Sequence, residues 1–157
     1  MMERLDFGCV RRKTPVTVFS TDRSEERHGM TKIRLHKGDL PAGVTFGDSV
    51  AVDTETLGLS LVRDKLCVVQ LSAGDGTAHV VQLDRSSYDA PNLKALLADT
   101  GVEKIFHFAR FDVAMIQKWF GVTCAPVFCT KIASKLARTY TDRHGLKDVS
   151  RELVGVD

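Results

Sequence analysis

The chain has 157 residues, a formal net charge of +2, 43% hydrophobic residues and 27% charged residues. This length and balance predict one soluble globular domain and exclude a strongly basic duplex DNA-binding domain. No apolar stretch approaches the roughly 20 residues that span a bilayer. The four cysteines include no Cys-x-x-Cys pair typical of a zinc site. The sequence therefore predicts a cytoplasmic protein with no membrane association.

Residues 1–29 have little periodicity and mix acidic with basic side chains. Their pattern fits neither a secretory signal nor a mitochondrial transit peptide, which need an apolar segment and few acids, respectively. We expect them to be a disordered or non-native extension, with Met30 as the natural start. Residues 30–157 then form the folded domain.

The folded part opens with strand-like segments. Residues 31–35 alternate like an edge strand, and Ser49–Thr56 alternates with valines on one face. Leu66–Ser72 is apolar and β-branched, as in a central strand. The Gly-Asp-Gly turn at 74–76 should join it to a strand at 77–83 in a hairpin.

Helices and strands alternate in the second half. The predicted helices are Pro91–Ala98, 109–120 ending at Gly121, 130–140 and Leu146–Val154, and the predicted strands are 104–108 and Val127–Cys129. This order predicts an α/β fold with a mixed sheet flanked by helices. Periodicity alone leaves the order of the strands open.

Asp53 and Glu55 are the most informative acids, because residues at i and i+2 of a strand project from the same face. Such carboxylates repel by about 1 kcal/mol in water and about 4 kcal/mol at an effective dielectric near 20. A bound Mg²⁺ or Mn²⁺ would offset the repulsion, since both ions prefer oxygen ligands. The alternative, two solvated acids at a strand end, stays open on this pattern alone.

Asp112 lies on the same predicted helix face as Met115, Ile116 and Trp119. An acid therefore stands at the start of the apolar face of this amphipathic helix. An unpaired carboxylate is costly to bury there. The alternative is an acid in the first helical turn, which the helix dipole favours. Together with the two acids of the strand, Asp112 favours a shared metal site.

These segments resemble the motifs of the ribonuclease D-type DEDD 3′–5′ exonucleases. Val-Ala-Val-Asp-Thr-Glu-Thr at 50–56 is similar to the first motif, and Lys-Ile-Phe-His-Phe-Ala-Arg-Phe-Asp at 104–112 to the second. Segment 66–71 resembles the strand between them, and His-Gly-Leu-Lys-Asp at 144–148 resembles a later helical element. The resemblance covers about residues 31–157 and implies a ribonuclease H-like fold.

The resemblance also implies a function, namely hydrolysis of nucleotides from the 3′ ends of RNA or single-stranded nucleic acid by two Mg²⁺ or Mn²⁺ ions. One ion activates the attacking water, and the other stabilises the leaving 3′ oxygen. Asp53, Glu55 and Asp112 match the acids that hold these ions. Thr56 and Leu57 match residues that contact the terminal nucleotide. His107 lies either near the site or in a structural role.

The family's third motif, a Tyr three residues ahead of a fourth Asp, finds no match before Asp157. We therefore expect a C-terminally incomplete domain and a poor nuclease, or none. His144 with Asp148, and Tyr140 with Asp142, have the wrong spacing to replace it. The alternative function is a catalytically inactive module that binds nucleic acid or a protein partner.

Lys131, Lys135 and Arg138 follow helical spacing along one face. Such a row can follow a phosphate backbone. It is more often a solvated helix face, and the small net charge favours that interpretation.

Overall fold

Residues 32–156 are described by a computed structural model. The expectation for residues 1–29 lies outside these residues and stays a prediction. The elements in chain order are β1 (Lys32–Lys37), β2 (Ser49–Thr56), β3 (Leu66–Ser72), β4 (Thr77–Gln82), α1 (Pro91–Ala98), β5 (Glu103–Phe106), α2 (Arg110–Phe120), β6 (Val127–Cys129), α3 (Thr130–Ala137) and α4 (Leu146–Val154). None of the described helices is both long and apolar enough to cross a membrane.

The strands form one mixed sheet in the order β1-β4-β3-β2-β5-β6. Strands β2, β3 and β4 are antiparallel neighbours, so the predicted hairpin is confirmed. Strands β5 and β6 continue from β2 in parallel, and β1 adds to the far edge in parallel with β4. The α/β fold class is confirmed, and β1 lies at an edge as expected.

Strand β2 follows the predicted alternation. Val50 and Val52 are buried, whereas Ala51, Asp53 and Glu55 lie on the exposed face. Strand β3 is buried along almost its whole length, which confirms its central position. Leu93 and Leu97 of α1 and three side chains of α2 complete the core: Met115, Ile116 and Phe120.

The ends of the helices are fixed by specific contacts. Asp39, in the loop after β1, accepts hydrogen bonds from the backbone N–H groups of Asn92 and Leu93, both at 2.9 Å. It thereby caps α1 from a distant part of the chain, because the residue before the helix is an alanine. Gly121 ends α2 as predicted, with φ +71° in the left-handed region.

Lys104 in β5 is fully buried. Its ammonium donates hydrogen bonds to the carbonyl oxygens of Asp99 and Ala125, both at 2.5 Å, and of Val102 at 2.7 Å. A buried cation is tolerated when its donors are satisfied in this way. Lys104 therefore connects the start of β5 to the loop that precedes β6.

Helix α3 ends at Ala137, three residues before the predicted end. Arg138 leaves the helix and is only 4% exposed; its guanidinium donates to Ser134 Oγ, to the Arg143 carbonyl and to the Glu152 carboxylate. The favoured interpretation of the basic row as a solvated face is wrong for Arg138, because this charge is paired inside the protein. Lys135 remains exposed.

Candidate active site

The candidate site forms where the carboxyl ends of three parallel strands meet, the usual position of ligand sites in open α/β sheets. Asp53 and Glu55 lie near the end of β2. Strand β5 runs parallel to β2, and α2 starts four residues after β5 ends. This short connection brings Asp112, in the first turn of α2, to the end of β2.

One hydrogen bond fixes Asp112 against β2. Thr54 Oγ1 donates to Asp112 Oδ1 at 2.5 Å, and Asp112 is only 7% exposed. Our sequence analysis did not single out Thr54. The signal was available, because alternation places residue 54 on the same face of β2 as Val50 and Val52.

The three carboxylates are electrostatically coupled. Burial is the main cause that raises the pKa of Asp53, Glu55 and Asp112 above the ordinary values. Asp53 and Asp112 raise the pKa of Glu55 further, and Asp53 does the same to Asp112. Asp53 thus lies near enough to affect the pKa of both other acids, and Asp112 near enough to affect that of Glu55. The pKa shifts thus indicate that the three predicted acids are neighbours, and their role as metal ligands stays a prediction.

The donor chemistry of this cluster suits a divalent cation. The two ion pairs within residues 32–156, Arg63–Asp64 and Arg138–Glu152, include none of the three acids. Within the same residues, no three acidic, histidine or cysteine side chains converge as ready-made metal ligands. Side-chain rotation would therefore accompany the binding of an ion by these three acids.

His107 lies between β5 and α2, half-buried. Thr130 Oγ1 donates to the Phe106 carbonyl at 3.1 Å, so its lone pair accepts from His107 Nδ1 at 2.9 Å. Burial, followed by the nearby charge of Lys131, lowers the pKa of His107. Its Nε2 is buried without a hydrogen-bond partner among the described residues. This histidine is therefore neutral and held in place by Thr130, which the sequence analysis missed.

Thr56 and Leu57 follow the two acids on the chain. The Thr56 hydroxyl donates to the Gly58 carbonyl at 2.6 Å and shapes the turn after β2. Leu57 is 41% exposed and lines an open pocket together with Lys65 and residues 83–86. None of the three acids lines this pocket, so it is distinct from the carboxylate cluster.

The two residues with nearly suitable spacing for a third motif, His144 and Asp148, do not direct their side chains' known contacts to the three acids, although the His144 backbone affects the pKa of His107. His144 Nδ1 is 3.0 Å from Ser134 Oγ, within the contacts between α3 and α4. Asp148 lies in the first turn of α4 and is not among the charges that shift the pKa of the three acids. The structure gives neither residue a place in the cluster.

Comparison with known protein families and structures agrees with this geometry. A family model described as 3′–5′ exonuclease matches residues 35–157. The ribonuclease D of Acidiphilium cryptum is 34% identical over 106 residues, which are 68% of this chain and 26% of that protein. The chain thus spans about a quarter of the length of this curated relative.

Solved structures show the same fold. Brucella melitensis NrnC with bound Mg²⁺ is 57% identical with a TM-score of 0.78, over 80% of this chain and 63% of that one. NrnC bound to pGG has the same identity and TM-score over 82% and 63%. Escherichia coli RNase D is 24% identical with a TM-score of 0.56, over 70% and 28%, which supports the fold alone.

Proposed function

Because this chain belongs to the 3′–5′ exonuclease family, we propose that it hydrolyses nucleotides from the 3′ ends of RNA or other single-stranded nucleic acid with Mg²⁺ or Mn²⁺. The observation that carries the proposal is the coupled cluster of Asp53, Glu55 and Asp112 at the carboxyl ends of the parallel strands. The similarity to a nuclease with bound Mg²⁺ supports the choice of metal.

Each residue of the cluster has a role in this proposal. Asp53, Glu55 and Asp112 would hold the metal ions, and Thr54 orients Asp112 through its 2.5 Å hydrogen bond. The bound ions would supply an activated water and stabilise the charge that develops on the leaving oxygen. Their positive charge would also let the polyanionic substrate approach three acids that otherwise repel it.

The terminal nucleotide is assigned to Thr56 and Leu57, directly after the cluster. Leu57 offers an exposed apolar side chain to a base, and the Thr56–Gly58 hydrogen bond fixes the turn that presents it. His107 is kept as a further contact near the site, in its neutral form. The similarity to a nuclease bound to pGG supports very short RNA as one substrate class.

The alternative, an inactive module that only binds nucleic acid, is not favoured. A binding surface for a polyanion gains affinity from cations, whereas three uncompensated acids oppose binding. Their presence at the strand ends is understandable when metal ions are part of the site.

The test uses the 157-residue chain with a 5′-labelled single-stranded RNA and Mn²⁺. We expect a ladder of products shortened one nucleotide at a time from the 3′ end, formed slowly, because only three acids of the family's motifs find a match in this sequence. Asp53→Ala should lower the rate by at least about 10²-fold, since losing a positioned group of this kind typically costs 10²–10⁴-fold. Asp89→Ala, which changes an exposed acid before α1, is the matched control.

Titration calorimetry with Mn²⁺ on the same three proteins separates metal binding from catalysis. Wild type and Asp89→Ala should bind the ion, and Asp53→Ala should bind it more weakly or not at all. Equal binding by all three proteins would contradict the metal site. RNA trimming that Asp53→Ala leaves intact would contradict the catalytic assignment.

A further inference from the structure

Phe108 is an aromatic residue in an unfavourable backbone conformation. Its φ is +71°, in the left-handed region that a bulky side chain avoids, and its side chain is 48% exposed. Its neighbours Phe106 and Ala109 are buried, at 1% and 7% exposure. Core packing therefore accounts for the positions of Phe106 and Ala109 but not for the strained backbone of Phe108. Backbone strain that packing does not require is often retained for function.

Lys131 lies against the ring of Phe108. Its Nζ is 4.3 Å from the ring centroid, a distance at which a cation is attracted to the aromatic face. No ion pair within residues 32–156 includes Lys131. The pair therefore presents an exposed ring with one uncompensated positive charge.

This pair lies just beyond the ends of β5 and β6, the two strands that continue the sheet from β2. The last parallel pair of β2 and β5 is Ala51 with Ile105, and two residues further on lie Asp53 and His107. The last pair of β5 and β6 is Phe106 with Cys129. The next residues of the two segments, His107 and Thr130, are joined by a hydrogen bond. The residues after these, Phe108 and Lys131, form the cation–ring contact. The ring and the ammonium therefore follow the ends of β5 and β6, next to the end of β2 that carries Asp53 and Glu55.

We propose that Phe108 and Lys131 form a nucleotide-binding subsite beside the carboxylate cluster. The Phe108 ring stacks on one base of a single-stranded RNA 3′ end, and the Lys131 ammonium neutralises a backbone phosphate next to that base. Sites for single-stranded nucleic acid combine aromatic stacking with cations in this way. The proposal rests on the proposed function, because the carboxylates determine where the 3′-terminal phosphodiester lies.

A structural explanation competes with this proposal: the ring and Lys131 could serve only to hold α3 against the start of α2. The two explanations differ for Phe108→Gly. Glycine adopts a positive φ without strain, so the variant loses the ring but gains a relaxed backbone. A purely structural ring predicts a lower unfolding midpoint, whereas a binding ring predicts an equal or higher midpoint together with weaker RNA binding.

The experiment measures binding of a 5′-fluorescein-labelled single-stranded RNA hexamer to the 157-residue chain by fluorescence anisotropy. Ca²⁺ replaces Mn²⁺, so that the carboxylates are compensated by a divalent cation, and a gel of the same samples checks that the RNA stays uncleaved. Phe108→Gly should weaken binding on the order of tenfold to a hundredfold, the effect of one lost stacking contact. Phe108→Tyr should retain affinity. Lys131→Ala should weaken binding and make it less salt-dependent, whereas Lys135→Ala, one turn further on the same helix, should change neither.

Hexamers with a single abasic nucleotide identify the stacked base. At one position, the missing base should weaken wild-type binding and abolish the difference between wild type and Phe108→Gly. This measurement and Lys131→Ala test the subsite even if Phe108→Gly unfolds. The subsite is overturned if Phe108→Gly and Lys131→Ala both bind RNA with the affinity of wild type. It is also overturned if Phe108→Gly weakens binding equally at every abasic position.

The outcomes also separate this proposal from the exonuclease proposal. If wild type trims RNA and these variants bind like wild type, only the subsite is overturned. If wild type binds RNA through Phe108 but never trims it with Mn²⁺, only the exonuclease proposal is overturned. Absence of RNA binding by wild type overturns the subsite outright.

Discussion

Asp112 combines a proposed role as a metal ligand with a cost to the stability of the fold. It is nearly buried, accepts one hydrogen bond from Thr54 and lies close to Asp53. Burial and the neighbouring charge raise its pKa, so the folded state binds a proton more readily than the unfolded state does. By linkage, its charged form lowers stability increasingly as pH rises above the ordinary carboxyl pKa.

Asp112→Asn should therefore raise the thermal unfolding midpoint in EDTA at pH 7.5. The gain should shrink as the pH falls towards 4, near the ordinary pKa of 3.8, because the wild-type carboxyl becomes neutral there. Added Mn²⁺ should stabilise the wild type more than the variant. Circular dichroism melts at both pH values check this, and a variant that is less stable than wild type in EDTA at pH 7.5 would contradict it.

Lys104 is the second residue with a measurable consequence. Lys104→Met keeps most of the apolar stem but leaves three carbonyl oxygens without their donor. Each unsatisfied buried group costs about 1–3 kcal/mol, so we expect a loss on the order of 3–5 kcal/mol in unfolding free energy. Urea unfolding measures it, with Lys94→Met on the partly buried face of α1 as the control. A loss below about 1 kcal/mol would mean that water replaces the ammonium.

At the scale of elements, α4 depends on polar contacts with two side chains from outside it. Arg138 follows α3 and pairs with Glu152 of α4, and Tyr140 donates a hydrogen bond to the same carboxylate. None of the residues of α4 is fully buried. Core packing therefore contributes little to holding this helix, and polar contacts contribute most.

Arg138→Ala should loosen α4 without unfolding the sheet. We expect amide hydrogen exchange over Leu146–Val154 to accelerate on the order of tenfold, with little change in β2 and β3. Lys135→Ala, an exposed lysine of α3, should leave exchange unchanged. Uniform acceleration across the whole domain would show instead that α4 belongs to the same cooperative unit as the core.

The sequence was most informative where one physical rule acted alone. Alternation placed Val50 and Val52 in the core, and the glycine at 121 marked the end of α2. It could not supply the strand order, because pairing β1 with β4 depends on contacts between distant segments. The sequence also gave no indication of Phe108, because no sequence pattern predicts a phenylalanine at positive φ. Arg138 was misjudged because its partner Glu152 lies 14 residues away.

At the scale of the whole molecule, the two faces of the domain differ. The sheet and the first two helices enclose the core, whereas α3, α4 and the loop between them expose large apolar side chains: Ile132, Leu136, Tyr140, Leu146, Leu153 and Val154. Exposed apolar side chains that lie close together in the chain favour association when they form one patch. The exposed side chains thus predict that the 157-residue chain is not a stable monomer at high concentration.

We expect the average mass from light scattering after size exclusion to rise with protein concentration. The double substitution Leu136→Glu with Leu153→Glu should shift the chain towards the monomer, because it places charges on the exposed apolar surface. The double substitution Lys135→Gln with Lys147→Gln, at two exposed lysines, controls for the same change in net charge. A wild-type mass that stays monomeric at every concentration would contradict the prediction.

The three parallel strand ends also bear on how this protein tolerates insertions and deletions. Adjacent strands in a sheet are about 4.8 Å apart. The pairing of β2, β5 and β6 therefore fixes the distance between Asp53 and the residues that follow β5 and β6. One residue added within β5 would exchange the faces of His107 and Phe108. Residues added between α2 and β6 would leave the pairing of these strands unchanged. Natural length variation should therefore accumulate in the connections and spare these three short strands.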